Sequence, residues 1–265
     1  MNEFQNYDDL ENYFSDTFVK LGVKDYDFCY IYSDLRFFAS SMRINIEKDR
    51  FCNSIISPLL NLKKTVIIPT FSYTIEGVFD VEKTPTSLGT LNSWILRQPN
   101  VKRSNHPLFS FGALGPKSSL VENCGKSAFG KNSVHDNLRE NKCCFINIGR
   151  AIEKGNTIIH NIEQSCEAKY RFNKVFKTSV LKKNKLFDSD YSAFVRRQDV
   201  PDHDFKFNFI EAAKILYSEG IVHEVGDSEL LSNISLYDYD KTRDILVKAF
   251  IKNSSIFLSK PFTQF

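Results

Sequence analysis

Three short apolar runs limit the folds open to this chain more than any other feature of its sequence. Each has the length and apolar character of a buried β-strand, and they are DFCYIYSD (27–34), KTVIIPTFS (64–72) and KCCFINIG (142–149). Helices are predicted between them, at 7–21, where apolar residues recur at helical spacing, and at 48–62. Strands that alternate with helices in this way predict an α/β sandwich.

The region after the third strand has a more antiparallel character. Alternating residues in YRFNKVFKTSVLKKNKLF (170–187) and DSDYSAFVRR (188–197) predict a hairpin or meander, so the sheet is expected to be mixed. Further helices are predicted at 89–97, 157–169, 207–220 and 239–253. The chain has neither an internal repeat nor a linker, and a single domain over residues 1–265 is expected.

The composition argues against a membrane, secreted or nucleic-acid-binding protein. With 42% hydrophobic and 25% charged residues it is typical of soluble globular proteins, and no apolar run approaches the roughly 18 residues of a membrane span. The polar start MNEFQNYDDLENYF lacks the regions of a signal peptide, so a cytoplasmic location and reduced cysteines are expected. The net charge of +3 comes from scattered basic residues, which favours small anionic ligands over nucleic acid or membrane.

One helical segment, GNTIIHNIEQ (155–164), has the spacing of a general base with its supports. Thr157, His160 and Glu163 are three residues apart and share one side of the predicted helix, with Asn156 as its N-cap. The imidazole can remove a proton near neutral pH, and the carboxylate can fix its tautomer or stabilise the imidazolium. A helix with a polar surface stripe and no catalytic role has the same spacing, so both interpretations stay open.

A second polar segment is RSNHPLFSFGALG (103–115). His106 precedes a proline and must be extended, and Ser104, His106 and Ser110 would line a loop. For His106 the favoured interpretation is structural, with hydrogen bonds to the backbone.

A metal site is the third possibility. His106, His135 and His160, with Glu163 or Asp136, would be the zinc ligands of a metal-dependent hydrolase. The HxxE pattern falls far short of HExxH, and no metal is expected.

These motifs resemble those of the aminoglycoside 3-N-acetyltransferase family, also called antibiotic N-acetyltransferases. Six stretches carry the resemblance, in the family's order: YSDLR (32–36), VIIPTFS (66–72), GTLNSWILRQPNVKRSNHPLFSFGALG (89–115), FGKNSVHDNLRE (129–140), FINIG (145–149) and NTIIHNIEQ (156–164). Two family marks are intact, an Arg-Ser-x-His-Pro segment followed by Ser and an Asn-Thr-x-x-His-x-x-Glu segment. The similarity covers roughly residues 25–175 and continues weakly through VGDSELL (225–231).

The resemblance implies an α/β sandwich of the antibiotic N-acetyltransferase type that transfers acetyl directly from acetyl-CoA to an amine, without a metal. It implies that His160 is the general base, with Glu163 as a carboxylate beside it. Thr157 would hydrogen-bond near the thioester carbonyl, where charge develops. Asp190 in LFDSDYS (186–192) would be a further acidic residue near the base, and the sequence leaves open whether Glu163 or Asp190 is the partner of His160.

The resemblance also implies the residues that face CoA, which are Ser33, Arg36, Ser104 and Ser110. One departure concerns the CoA diphosphate, which family members usually hold at a helix opened by a Gly-Gly turn. Here that region reads RFFASSMRINIEK (36–48), without glycine. A protein that binds CoA but does not catalyse is therefore an alternative.

The acceptor is expected to be a small amino sugar. Aminoglycosides are polycations that need acidic clefts, whereas this chain is mildly basic and carries Arg171 and Lys174 near the predicted site. The stretch EAKYRFNKVF (167–176) also resembles relatives associated with bacterial surface polysaccharides. The sequence thus favours an amino sugar linked to a nucleotide diphosphate, with Arg171 and Lys174 as diphosphate contacts. The alternatives are an aminoglycoside acceptor and, for the two cations, a salt-bridged strand face; the protein is expected to be a monomer or homodimer.

Overall fold

Two sheets organise the chain in the computed structural model, which describes residues 3–199, 206–227 and 232–262. Most of the VGDSELL stretch (225–231) lies outside the described residues. The strands are β1 Phe28–Ser33, β2 Thr65–Pro69, β3 Val78–Asp80, β4 Lys102–Arg103, β5 Phe111–Leu114, β6 Cys143–Ile148, β7 Arg171–Lys182, β8 Lys185–Arg196, β9 Val222–Val225 and β10 Ile234–Asp238.

The main sheet has the order β4-β5-β2-β1-β6-β10-β9, and β3-β7-β8 form the second sheet. Strand β1 pairs in parallel with β2 and with β6, while the other neighbours in the main sheet are antiparallel. The three apolar runs of the sequence are thus the parallel centre of a mixed sheet, as predicted. Strands β7 and β8 form the predicted antiparallel hairpin.

Helices cover both faces of the main sheet. They are α1 Tyr7–Lys20, α2 Arg36–Ser40, α3 Lys48–Asn61, α4 Thr90–Ile95, α5 Val134–Leu138, α6 Ile158–Ser165, α7 Ile210–Ser218 and α8 Tyr239–Lys252. Helix α6 is shorter than the predicted 157–169, because Cys166 leaves helical geometry and Glu167 takes a left-handed φ of 53°. Within the described ranges, every helix is too short or too polar to cross a membrane.

Strand β1 shows how the two cores arise. Side chains alternate across a strand, so Phe28 and Tyr30 pack into the core that contains α6, α7 and α8 residues, and Cys29 and Ile31 pack into the core with α1, α3 and α4. Apolar helix faces therefore cover the sheet on both sides, which confirms the predicted α/β sandwich.

The parallel strands also fix where a site can form. Because β1 and β6 run side by side in the same direction, their carboxyl ends at Ser33 and Ile148 meet at one edge. Crevices at the carboxyl ends of parallel strands are the usual ligand sites of such sheets. The loop after β6 leads from this edge into α6.

Candidate active site

A tight loop places the start of α6 beside the carboxyl ends of β1 and β6. Gly155 has a φ of 64°, and a Cβ there would lie 2.5 Å from the Phe207 ring, so the turn requires glycine. Thr157, not Asn156 as predicted, is the N-cap residue of α6. Asn156 instead accepts a hydrogen bond from the Ile158 N–H at 3.0 Å, which fixes the entry into the helix.

His160 and Glu163 make the contact that their spacing predicts. His160 Nδ1 lies 2.9 Å from Glu163 Oε2, so the imidazole donates its Nδ1–H to the carboxylate. The other nitrogen, Nε2, then carries the lone pair. The Glu163 side chain is 1% exposed, whereas that of His160 is 26% exposed and lines a cavity. This arrangement can accept a proton from a ligand in the cavity.

The charges around this pair set its proton affinity. Glu163 also forms an ion pair with Arg171 Nε at 2.8 Å and accepts a hydrogen bond from the Tyr170 hydroxyl at 2.8 Å. Burial alone would raise the pKa of Glu163, but the His160 hydrogen bond and the Arg171 charge lower it overall. Burial lowers the pKa of His160 below its usual 6.5, and Glu163 only partly offsets this. His160 is therefore neutral at neutral pH.

The cavity that His160 faces has a volume of about 530 Å³ and an aromatic and basic wall. Its aromatic lining residues are Tyr32, Phe109, Phe129, Phe194 and Phe207. Its charged lining residues are Arg150, Lys154, Arg171 and Arg196, and no carboxylate is among the described residues that line it. We call this space the acceptor cavity.

A larger cavity of about 840 Å³ lies at the carboxyl end of β1, between α2, α3 and α4. It includes two of the predicted CoA contacts, Ser33 at the end of β1 and Arg36 at the start of α2, and we call it the cofactor cavity. Arg36 donates from Nε to Asp34 Oδ1 at 2.8 Å. Arg150 and Lys154 line both cavities, so the two spaces adjoin.

Ser104 and Ser110, the other two predicted CoA contacts, are buried away from both cavity walls. Ser104 Oγ accepts from the Phe111 N–H at 2.9 Å, and the Ser110 hydroxyl donates to the Thr70 carbonyl at 2.7 Å. The Arg103 guanidinium donates to Ser110 Oγ at 3.1 Å. These internal bonds hold β4 and β5 to the end of β2.

His106 has the structural surroundings that the sequence favoured. Its Nδ1 accepts from the N–H groups of Leu108 and Phe109, at 3.3 and 3.2 Å, and its Nε2 donates to the Ser192 carbonyl at 3.2 Å. Burial lowers the pKa of His106 to about 4. The imidazole thus holds the loop against β8 as a neutral group.

Asp190 and Lys174 lie outside the acceptor cavity. Asp190 is exposed on β8 opposite Lys177, and Glu163 is the carboxylate that His160 contacts. Lys174 is three positions from Arg171 in β7, and an odd spacing puts two strand residues on opposite faces. Only Arg171 of this pair reaches the acceptor cavity.

A buried polar network around Thr157 was not predicted from the sequence. Thr157 Oγ1 lies 2.7 Å from Tyr32 Oη, 2.8 Å from Tyr30 Oη and 2.8 Å from His135 Nε2. His135 Nδ1 lies 2.9 Å from Tyr239 Oη. Two tyrosines at alternate positions of an otherwise apolar strand were the available signal, because both must turn polar ends to the same face.

The three histidines suggested as metal ligands have separate partners. His106 binds backbone groups, His135 binds Thr157 and Tyr239, and His160 binds Glu163. Within the part of the chain that the structure describes, no three His, Cys, Asp or Glu side chains are grouped to hold a metal ion.

Three solved structures share the fold and are distant in sequence. Aminoglycoside acetyltransferase AAC(3)-IVa, in a mutant form in complex with a gentamicin, has 19% identity and a TM-score of 0.74, over 98% of this chain and 93% of that chain. The YokD protein from Bacillus subtilis has 18% identity and a TM-score of 0.73, over 92% and 94%. AAC-IIIb, as a binary structure with CoASH, has 14% identity and a TM-score of 0.73, over 95% and 98%. These likenesses establish the fold.

Sequence comparisons give the family. A search among curated proteins finds no match. The sequence model of the family described as aminoglycoside 3-N-acetyltransferase, by contrast, matches residues 63–236, well over half of the chain. This match includes His160, Glu163 and most of the acceptor cavity wall. The chain therefore belongs to the aminoglycoside 3-N-acetyltransferase family of acyltransferase enzymes.

Proposed function

We propose that the protein is an acetyl-CoA-dependent N-acetyltransferase that acetylates an amino group of an amino sugar. The observation that carries this proposal is the His160–Glu163 pair, which presents an imidazole nitrogen with a free lone pair to the acceptor cavity, next to the cofactor cavity. Family membership supports the acyl transfer reaction. The wall residues of the acceptor cavity run from Tyr32 to Phe207, which supports one functional unit over at least this part of the proposed single domain 1–265.

The cofactor cavity fits a long anionic ligand such as CoA. Arg36, Lys48, Arg150 and Lys154 line it, against one carboxylate, Asp34, among its described lining residues. These cations can hold the diphosphate and so compensate for the missing glycine turn. A relative solved as a binary structure with CoASH supports the assignment. Acetyl-CoA supplies the acetyl thioester.

In the proposed reaction the acceptor amine attacks the thioester carbonyl while His160 Nε2 removes the amine proton. The Glu163 carboxylate, bonded to Nδ1, stabilises the imidazolium that forms. The C–S bond then breaks, and the imidazolium returns its proton to the departing thiolate. The products are the acetamide and free CoA thiol, and His160 is neutral again.

For the acceptor, the comparisons favour an amino sugar of the aminoglycoside type over the nucleotide-linked sugar that the sequence favoured. The matching family is named for aminoglycosides, and relatives were solved with a gentamicin and with sisomicin. We therefore propose an aminoglycoside-type amine as the first candidate.

One observation keeps an anionic amino sugar, such as a nucleotide-linked one, as the second candidate. The four charged residues that line the acceptor cavity are all cations. A polycation would be repelled there, whereas a phosphate-bearing sugar would be attracted. Of the two predicted diphosphate contacts, Arg171 lies in this wall, whereas Lys174 does not.

The test is a thiol-release assay with acetyl-CoA against two panels, aminoglycosides and nucleotide-linked amino sugars, with His160→Ala as the control. Release on one panel that is lost in the variant supports the function and selects the acceptor class. Tight CoA binding without release on either panel indicates the non-catalytic alternative. Absence of both CoA binding and release contradicts the proposal.

A further inference from the structure

The Thr157 hydroxyl already has three side-chain hydrogen-bond partners within the protein. Its oxygen contacts His135 Nε2, Tyr30 Oη and Tyr32 Oη, all between 2.7 and 2.8 Å. A hydroxyl has one proton to donate and two lone pairs to accept with. The direction of each bond therefore decides whether Thr157 has a proton left for a ligand.

The donor in the Thr157–His135 hydrogen bond can be assigned from the hydrogen bonds of the buried Tyr239 hydroxyl. The Tyr239 hydroxyl donates its single proton to the backbone carbonyl of His135, at 2.8 Å. Tyr239 Oη can then only accept from His135 Nδ1, 2.9 Å away, so Nδ1 carries the imidazole proton. Burial lowers the pKa of His135 to about 3, which keeps the imidazole neutral. His135 Nε2 is consequently an acceptor, and the Thr157 hydroxyl must donate to it.

Tyr30 and Tyr32 fill the acceptor side of Thr157. Tyr30 is fully buried, and its hydroxyl can donate to Thr157 Oγ1 at 2.8 Å. Tyr32 is only half-buried and lines the acceptor cavity. Its oxygen accepts the Thr157 backbone N–H at 3.0 Å, which strengthens its own proton as a donor. The Tyr32 hydroxyl in turn donates to Tyr30 Oη at 3.0 Å or to Thr157 Oγ1 at 2.7 Å. Because Tyr32 lines the acceptor cavity, its hydroxyl can turn from these partners to a cavity ligand while Tyr30 continues to bond Thr157.

Tyr32 also lies near the place where the acceptor cavity adjoins the cofactor cavity. Its side chain lines the acceptor cavity with His160, and the next residue, Ser33, lines the cofactor cavity. Burial raises the pKa of Tyr32, so the phenol remains protonated and acts as a donor rather than a base. Arg150, which lines both cavities, has its guanidinium 5.3 Å from the centroid of the Tyr32 ring, so this phenol lies close to the junction of the two cavities.

We propose that Tyr32 is a catalytic residue that donates a hydrogen bond to the thioester carbonyl oxygen, and that Thr157 and His135 are positioning residues that hold it. This inference rests on the proposed function. As the amine nitrogen bonds to the carbonyl carbon, the C=O electron pair moves to oxygen and the Tyr32 hydroxyl stabilises that charge without giving up its proton. His160 takes the amine proton. The electron pair on the oxygen then re-forms the C=O bond as the C–S bond breaks, and the departing thiolate receives the proton from His160.

The kinetic test compares Tyr32→Phe with Tyr237→Phe, which removes another buried phenol near the site, one that bonds Asn156 instead of Thr157. Loss of one donor to a developing oxyanion lowers kcat by about 10²–10³-fold. We expect this loss in Tyr32→Phe with the KM for acetyl-CoA nearly unchanged, and wild-type kcat in Tyr237→Phe. An active wild-type enzyme with an unimpaired Tyr32→Phe variant overturns the inference alone. A wild-type enzyme that acetylates no amine overturns the proposed function as well.

A spectroscopic arm tests the network if the variants fold poorly. In the ¹⁵N-histidine-labelled wild-type protein, His135 should show a protonated Nδ1 and a bare Nε2 across neutral pH, since the two nitrogen types differ widely in chemical shift. A protonated Nε2 would reverse the Thr157 bond, leave Thr157 as the cavity donor and overturn the inference. Thr157→Val should move the Nε2 signal of His135 and leave that of exposed His223 in place.

Discussion

His160 and His135 both bond through Nδ1, yet their partners differ in charge. His160 binds the Glu163 carboxylate, whereas His135 binds the Tyr239 phenol. Of these two partners only the carboxylate has a negative charge to stabilise an imidazolium, and burial without such a charge lowers the pKa of His135 to about 3. His160 is also 26% exposed at its side chain, whereas His135 is 0% exposed. Partner charge and access to the cavity, rather than the presence of an imidazole, therefore distinguish a base from a structural histidine.

The largest expected effect comes from removing the base. His160→Ala should lower kcat by about 10²–10⁴-fold, the usual contribution of a positioned general base. CoA binding should persist, because His160 is not among the residues that line the cofactor cavity. Thiol release and CoA titration measure the two effects. The matched control is His223→Ala on β9, where this side chain is exposed. Full activity of His160→Ala would show that His160 is not the base and is a structural histidine like His135.

The next effect comes from giving His160 an uncharged partner like that of His135. Glu163→Gln should lower kcat by about 10–100-fold, because the imidazolium loses its counter-charge and Arg171 then opposes it. Glu167→Gln, just beyond the same helix, is the control. Since Arg171 is also left without its ion-pair partner, a thermal unfolding curve must show that the variant is folded at the assay temperature. Wild-type kcat in a folded Glu163→Gln variant would mean that partner charge does not matter.

The His160–Glu163 contact was predictable because helix geometry relates residues three apart. The central strands β1, β2 and β6 were predictable because strands buried on both faces are continuous apolar runs. The network around Thr157 was not, since it joins Tyr30 to His135 and Tyr239 across more than 100 positions of sequence.

Other predictions depended on local geometry that the sequence does not show. Arg171 and Lys174 were grouped by closeness in sequence, but the two faces of β7 separate them. Ser104 and Ser110 were assigned to CoA from their motif, but a motif does not reveal that both hydroxyls bond inside the protein. Short strands such as β9 and β10, flanked by polar residues, carried no signal strong enough to predict.

A smaller, graded effect should appear in the pH dependence of kcat/KM. His160 must be neutral to act, and its pKa lies below 6.5. Activity should therefore be retained below pH 6.5 and then fall about tenfold per pH unit as the pH drops through the lowered pKa. In Glu163→Gln this acid limb should move to still lower pH, because the imidazolium is less stable. A limb at or above pH 6.5 in the wild-type enzyme would contradict the assigned charges.

The smallest effect concerns the free energy of unfolding, and it tests whether the buried structural histidines stay neutral in the folded protein. The folded-state pKa values of His135 and His106 are lowered to about 3 and about 4, against 6.5 for an exposed histidine. As the pH falls below 6.5, the unfolded chain binds protons that the folded protein cannot, so their stabilising contribution is complete above 6.5 and declines below it. Each histidine should cost about 1 kcal/mol of unfolding free energy between pH 6.5 and about 5.5.

Urea unfolding at several pH values measures this slope. His106→Gln should reduce the slope by one histidine's share even if it lowers stability at every pH, whereas His223→Gln should leave the slope unchanged. The buried Glu163 carboxylate interferes little in this window, because its pKa is lowered below 4.5. A flat stability profile would mean that the buried imidazoles become charged inside the fold. His135 could then accept a proton as His160 does, and neither its fixed tautomer nor the donor role of Tyr32 could stand.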